Sequence, residues 1–119
     1  MTTVNAVKSN FNNFFTEGSI EYIYEDDQCV AFDANKNQQA PTHFLVVPKK
    51  VIPRLSQAAP EDEKLLGHLL IVCRRVAKTK GLHPTGFRVI MNEGPQGGPT
   101  VDHLHLHVMG HRQMMWPFC

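Results

Sequence analysis

Three histidines at every second position stand out near the end of this 119-residue chain. They are His103, His105 and His107, and leucine or valine occupies the positions between and after them. Successive side chains of a β-strand point to opposite faces, so this period of two predicts one imidazole face and one aliphatic face. Same-face neighbours on a strand lie about 6.5–7 Å apart, a spacing that suits three groups reaching different atoms of one small substrate.

A glycine-rich stretch comes directly before the histidines. Residues 92–100 read NEGPQGGPT. Glycines allow backbone N–H groups to approach phosphate oxygens closely, and Asn92 and Thr100 add side-chain donors. We therefore interpret Asn92, Gly98 and Thr100 as residues that bind the phosphate of a substrate beside the histidine row.

The elements that must position these residues are short strands and one long helix. Strands are predicted over 20–24, 28–32, 43–48 and 87–91, and the histidine stretch is the fifth. A helix is predicted from Pro60, where an acidic first turn follows, to a cap at Gly81, with an apolar stripe of Leu65, Leu69, Val72, Cys73 and Val76. A short helix is expected around Phe11–Phe15. Since strands come before and after the long helix, the class is α+β with a mostly antiparallel sheet of about five strands.

Composition limits the class of protein. We expect a flexible N-terminus over 1–10 and a single domain over 11–119, with residues 110–119 as its C-terminal tail. A formal net charge of +1 indicates neither nucleic acid nor an anionic membrane as partner. No apolar run approaches a membrane span. The three cysteines form no C-x-x-C pair, which indicates reduced thiols in an intracellular protein. We expect a cytoplasmic, and also nuclear, location.

The alternation over 103–109 resembles the signature of the histidine-triad (HIT) superfamily, H-φ-H-φ-H-φ-φ with φ hydrophobic. Other blocks are similar to its Hint branch, the nucleoside phosphoramidate hydrolases: 40–50, 65–69, 91–94, 97–98 and 112–117. The resemblance runs from about Phe11 to Pro117. It implies the HIT-like α+β fold and a two-fold homodimer joined through the long helices and the last-strand region.

The resemblance also implies a mechanism. His105 would attack the α-phosphate of a purine nucleoside 5′-phosphoramidate of the adenosine type, and the amine would leave. Water would then release the nucleoside monophosphate from the nucleotidyl-histidine. His103 and His43 would orient the nucleophile by hydrogen bonds, while His107 would contact the phosphate and pass a proton to the amine. No cofactor is needed.

The resemblance implies the nucleoside contacts as well. Phe32 would line the base slot and Asp33 would bind the ribose hydroxyls, although the loop that follows is longer than in the family. Trp116, in the C-terminal segment, would contact substrate in the neighbouring subunit's site.

The chain departs from the family pattern close to the histidines. Pro99 replaces a glutamine and therefore lacks a backbone N–H, while Thr100 replaces a serine and keeps the hydroxyl. Asp102 replaces an aromatic residue, and His111 replaces a second glycine. We expect the fold to be retained and the rate and specificity to differ from the family norm.

Two alternatives compete with the hydrolase. A nucleotide-binding scaffold that acts through regulatory protein partners would bind nucleotide without forming a covalent intermediate. A zinc-binding protein would use the same-face histidines as ligands, because His-x-His on a strand is a zinc geometry. Turnover distinguishes the first alternative from the hydrolase, and loss of function with a chelator distinguishes the second.

Overall fold

The computed structural model describes residues 21–34, 40–93 and 103–113. Within these ranges there are five strands: β1 (Tyr24–Glu25), β2 (Cys29–Asp33), β3 (Thr42–Pro48), β4 (Phe87–Ile90) and β5 (Leu106–Gly110). One α-helix, α1 (Glu63–Thr79), follows two 3₁₀ turns at Leu55–Gln57 and Pro60–Asp62. Two predictions lie outside the described residues: that residues 1–10 are flexible, and that a short helix forms around Phe11–Phe15.

The sheet has the order β1-β2-β3-β5-β4, and every neighbouring pair is antiparallel. This confirms the predicted α+β class with a five-stranded antiparallel sheet. The histidine-bearing strand β5 lies between β3 and β4, so its register is set from both sides. Leu45 of β3 and Ile90 of β4 both pair with His107.

The ends of the long helix follow the sequence signals. The carboxylate of Asp62 accepts a hydrogen bond from the backbone N–H of Ala59 at 2.8 Å and forms an ion pair with Lys50. Both contacts stabilise the turn that begins at Pro60. At the other end Gly81 has φ = +79°, a left-handed conformation that favours glycine. The helical segment therefore begins at Pro60 as predicted, although its first turn is a 3₁₀ turn and α1 itself begins at Glu63; it ends at Thr79, just before Gly81.

The helix covers one face of the sheet. Its buried residues are Leu69, Val72, Cys73, Val76 and Ala77. The sheet contributes alternate residues to the same core: Cys29, Ala31, Phe44, Val46, Leu106 and Val108. Leu65 was predicted in the buried stripe but is only partly buried, because it lies in the first turn at the margin of the sheet. Burying each large apolar side chain contributes about 1.5–3 kcal/mol.

The opposite face of the sheet carries a second apolar cluster. It consists of Val30, Phe32, Ala34, Leu45 and Val47, with Tyr22 partly buried against it. These residues alternate with those that face the helix, as the period of two requires. None of the helices in the described ranges has the length and hydropathy needed to span a membrane.

Candidate active site

Strands β3 and β5 bring two of the predicted histidines together on the face away from the helix. His43 pairs with Met109 and Leu45 pairs with His107, so His43 and His107 are diagonal neighbours on that face. Nε2 of His43 and Nδ1 of His107 are 3.0 Å apart and share one hydrogen bond. Their ring centroids are 5.2 Å apart. Residues that are far apart in the sequence thus form one imidazole pair.

His105 joins this pair from just before the strand. Its ring centroid lies 5.0 Å from that of His107, with the rings nearly edge to face at 69°. The histidine strand is shorter than the sequence predicted: β5 begins at Leu106, so His105 lies just before it. Upstream of it the backbone N–H of Leu104 donates to the carbonyl oxygen of Ile52 at 2.7 Å. That contact connects the histidine segment to the connection after β3 instead of continuing the ladder.

A backbone contact defines the tautomer of His105. Its Nδ1 lies 2.6 Å from the carbonyl oxygen of His103. A carbonyl oxygen can only accept, so Nδ1 carries the proton and the lone pair of the neutral ring is on Nε2. His103 therefore orients His105 through its main chain. The side chain of His103 is buried, and its Nε2 donates to the carbonyl oxygen of Pro48 at 3.1 Å.

Burial makes the imidazoles of this site neutral. Desolvation lowers the pKa of His43 and of His105, although the hydrogen bond to His103 partly opposes the shift at His105. Burial, together with the neighbouring His105 and His43, lowers the pKa of His107 to about 4. At neutral pH the three rings are therefore uncharged, the form in which imidazole is a nucleophile.

An apolar floor adjoins the histidines. Phe32 pairs with Leu45, and Leu45 pairs with His107, so these residues form one row across three strands. With strands about 4.8 Å apart, the Cα atoms of Phe32 and His107 lie about 10 Å apart. The structure therefore places Phe32, predicted to line the base slot, on the same face as the histidines and beside them.

Asp33 lies on the other face. It pairs with Phe44, whose side chain packs under the helix, and its carboxylate forms an ion pair with Lys80 at 2.9 Å. The sheet thus separates this carboxylate from the histidine face, where the nucleotide whose ribose it was predicted to bind would lie. The ribose contact of Asp33 stays a prediction, and this arrangement does not favour it.

The beginning of the predicted phosphate loop is attached to the chain after β3. Asn92 lies two residues beyond the end of β4. The next residue, Glu93, accepts hydrogen bonds from the backbone N–H of Ser56 at 3.1 Å and from its hydroxyl at 2.8 Å. The predicted substrate residues Gly98, Thr100 and Trp116, like the substituted Pro99 and Asp102, lie outside the described residues.

Sequence reasoning missed the backbone oxygens of His103, Pro48 and Ile52 that hold the histidine segment. Every residue carries the same carbonyl group, so no residue type indicates which ones will accept. It also missed Thr42, whose hydroxyl lies 2.5 Å from Nδ1 of His111 and closes the end of the β3–β5 ladder.

Comparison with known proteins defines the family. Residues 16–114 match the family model described as HIT domain, so the chain belongs to the HIT family. An uncharacterized HIT-like protein of Synechocystis sp. is 50% identical over 95 residues, covering 80% of this chain and 82% of that protein.

Solved structures are similar over most of the chain. A HIT family hydrolase from Legionella pneumophila superposes with a TM-score of 0.81 at 35% identity, covering 92% of this chain and 94% of that one. A hypothetical histidine triad nucleotide-binding protein from Sulfolobus tokodaii has a TM-score of 0.67 at 26% identity, covering 85% and 66%. The predicted histidine-triad superfamily is thereby confirmed.

Proposed function

We propose that this protein is a nucleoside phosphoramidate hydrolase of the Hint type. Its substrate is a purine nucleoside 5′-phosphoramidate of the adenosine type, and the reaction passes through a nucleotidyl-His105 intermediate. The observation that carries the proposal is the 2.6 Å contact between Nδ1 of His105 and the carbonyl oxygen of His103. It directs the lone pair of a neutral imidazole to Nε2, where a nucleophile needs it. The similarity to a structure described as a HIT family hydrolase supports the same reaction class.

The proposed chemistry has two displacements at phosphorus. In the first, Nε2 of His105 forms a bond to the α-phosphorus, the P–N bond to the amine breaks, and the departing nitrogen takes up a proton. In the second, water attacks phosphorus and releases one proton to solvent, the bond to Nε2 breaks, and the nucleoside monophosphate leaves as His105 regains its neutral form. The released proton balances the one that the amine took up. Splitting a difficult displacement into two easier ones is the general advantage of covalent catalysis.

The pair of His43 and His107 can pass a proton to the departing amine; because both rings are neutral at neutral pH, that proton is first taken up from solvent. One ring donates to the other across 3.0 Å, so a proton released from His107 can be replaced through His43. An imidazole with a strongly lowered pKa takes up a proton only with difficulty, and once it is charged it gives that proton up readily. The pair therefore suits brief protonation followed by transfer to a leaving amine.

The apolar floor supports a nucleoside as the substrate. Phe32 and Leu45 lie in the same cross-strand row as His107, so a purine held at the margin of this buried row would place its 5′-phosphate near the histidines. The similarity to a structure described as a nucleotide-binding protein agrees with this choice.

We propose that the active form is a two-fold homodimer. Strand β4 is at the edge of the sheet formed by the described residues, and Val89 within it is 36% exposed. On the helix, Leu70 and Ile71 are 54% and 40% exposed. An edge strand and adjacent exposed apolar side chains are features of an isologous interface. Light scattering that gives the mass of one chain would overturn this part of the proposal.

The experiment is the release of a fluorogenic amine from an adenosine phosphoramidate. His105→Ala is expected to lower kcat by at least about a thousandfold, while the exposed His83, which stacks on Phe87, serves as the matched control in His83→Ala. Acid quenching of the wild type should trap one adenylate group on His105, as found by mass spectrometry. Turnover that survives His105→Ala would overturn the proposal.

The second candidate is a nucleotide-binding scaffold with regulatory partners. It is favoured by Pro99, which lacks the backbone N–H that the phosphate loop would use. This candidate predicts that adenosine monophosphate binds while no amine is released and no adenylate is trapped. The zinc-binding alternative predicts that a chelator abolishes function.

A further inference from the structure

A second polar cluster lies on the other side of the sheet from the histidine site. Among the described residues, Asp26, Cys29 and His68 bring one oxygen, one sulfur and one nitrogen atom within 4.8 Å of one another. Asp26 is in the turn between β1 and β2, Cys29 begins β2, and His68 is in the second turn of α1. Cys29 belongs to the core beneath the helix, whereas His107 faces the opposite side. The proposed hydrolase reaction uses none of these three residues.

We propose that Asp26, Cys29 and His68 form a binding site for one divalent zinc-type cation. Imidazole nitrogen, thiolate sulfur and carboxylate oxygen are the three protein ligands of Zn²⁺. In a tetrahedral zinc site these atoms lie about 3.3–3.8 Å apart, so side-chain movements of about 1 Å or less would complete the geometry. A soft sulfur and an imidazole select a late first-row metal over Mg²⁺ or Ca²⁺.

The carboxylate is already aimed into the cluster. Oδ1 of Asp26 accepts hydrogen bonds from the backbone N–H groups of Gln28 and Cys29, both at 2.8 Å. These bonds hold the carboxylate and direct Oδ2 toward His68, whose Nε2 lies 2.7 Å away. Hydrogen-bonded ligands of this kind are typical of the residues that orient a metal site.

The hydroxyl of Tyr24 borders the same oxygen. It donates to Oδ2 of Asp26 at 2.9 Å, and this hydroxyl or a solvent water would complete the coordination. The side chains of Asp26 and His68 are each 22% exposed, which gives an ion a path from solvent. Cys29 is fully buried, so the sulfur would be the innermost ligand.

Binding is balanced by the loss of one proton from the cluster. The metal takes the place now held by the hydrogen bond between His68 and Asp26, and the imidazole coordinates through Nε2 with its proton on Nδ1. The thiol of Cys29 loses its proton to solvent and coordinates as thiolate. The ion would then connect the β1–β2 turn to the helix.

The test is a titration of the full-length, reduced and metal-free protein with Co²⁺. We expect one equivalent to give the visible bands of tetrahedral cobalt together with a near-ultraviolet thiolate-to-cobalt charge-transfer band, and Zn²⁺ to remove both. Cobalt bound by the triad histidines has no thiolate and gives no such band. The charge-transfer band therefore distinguishes a thiolate site from cobalt bound by the triad histidines.

Two variants and a matched control assign the ligands. Cys29→Ala should lose the charge-transfer band, and Cys73→Ala, at an equally buried thiol of the same core, should keep it. His68→Gln, at a partly exposed position that tolerates substitution, should weaken cobalt binding by about tenfold or more. Zinc should raise the melting temperature of the wild type but not of His68→Gln. A titration with no thiolate band, or a band that persists in Cys29→Ala, would overturn the proposal.

Discussion

The two faces of the sheet use alternate residues of the same strands for different purposes. On β3, Phe44 and Val46 pack beneath the helix, while His43 and Leu45 face the histidine site. The covered face is a continuous apolar core. The other face is apolar enough to keep imidazoles neutral and still leaves His107 partly exposed. A register slip of one residue would exchange the faces of every side chain on a strand, so the chemistry depends on the same register as the core.

The largest expected effect compares two phenylalanines, one on each face. Phe32 on β2 is 1% exposed and Phe44 on β3 is 0% exposed. Substituting either with alanine should lower the free energy of unfolding by about 3–5 kcal/mol, because each leaves a cavity in a buried cluster. Only Phe32→Ala should also raise KM for the nucleotide, since only Phe32 lies on the histidine face. Urea unfolding and steady-state kinetics measure the two quantities.

Phe32→Leu and Phe44→Leu provide the milder pair if either alanine variant does not fold. An equal rise in KM for both members of a pair would show that the faces are not functionally distinct.

The next effect concerns pH and belongs to the histidine face. The pKa of His107 is lowered to about 4 in the folded protein, while the unfolded chain titrates near 6.5. Between these values the unfolded state binds more protons, so the free energy of unfolding falls as pH drops from about 6.5 to about 4. The expected loss is about 2 kcal/mol, allowing for the solvent that reaches the ring.

Urea unfolding at several pH values checks the slope. His107→Gln should flatten it, and His83→Gln, at an exposed histidine, should leave it unchanged. A wild-type profile that is flat across this range would mean that folding does not lower the pKa of His107, against the neutral, desolvated histidine face described above.

Local patterns predicted most of the fold. Apolar alternation indicated the strands, and the caps at Pro60 and Gly81 indicated the helix, because these signals depend on neighbours in the sequence. The period of two correctly placed the aliphatic partners of the histidines in the core. It overestimated β5, which begins at Leu106, because the hydrogen bond from Leu104 to Ile52 depends on a distant segment.

The sequence predicted which histidines form the candidate site, but it did not predict which groups each of them contacts. His43, His105 and His107 carry the signal in their residue types and come together as expected. The partner of each ring depends on the β3–β5 register and on backbone carbonyl groups, which leave no trace in composition. His43 was expected to orient His105, whereas the hydrogen bond that the register produces joins His43 to His107.

A smaller effect is expected at His111, where the histidine strand ends. His111 has φ = +63°, in the left-handed region that favours glycine, and it contacts the hydroxyl of Thr42. His111→Ala should lower the free energy of unfolding by about 1 kcal/mol, because it keeps the backbone strain and loses the contact. His111→Gly relieves the strain and should change stability by only a few tenths of a kcal/mol, roughly.

Thermal or urea unfolding of both variants, beside Thr42→Val, measures this difference. Equal losses for alanine and glycine would show that the contact with Thr42, and not the backbone conformation, accounts for the stability at this end of the ladder.

The smallest expected effect separates two roles for Asp33 on the helix side. Its carboxylate and the Lys80 amine are 42% and 30% exposed, and an exposed ion pair contributes about 0–1 kcal/mol. Asp33→Asn and Lys80→Met should therefore change stability little. If neither side chain touches the nucleotide, KM should also change little. A ribose ligand would behave differently, because losing a charged hydrogen bond of about 1.5–3 kcal/mol raises KM by about tenfold or more. One result would contradict the separation of the two faces: Asp33→Asn raises KM in this way while Lys80→Met lowers it. The carboxylate must then leave Lys80 and turn toward the nucleotide when substrate binds, so that the two faces of the sheet meet at the end of β2.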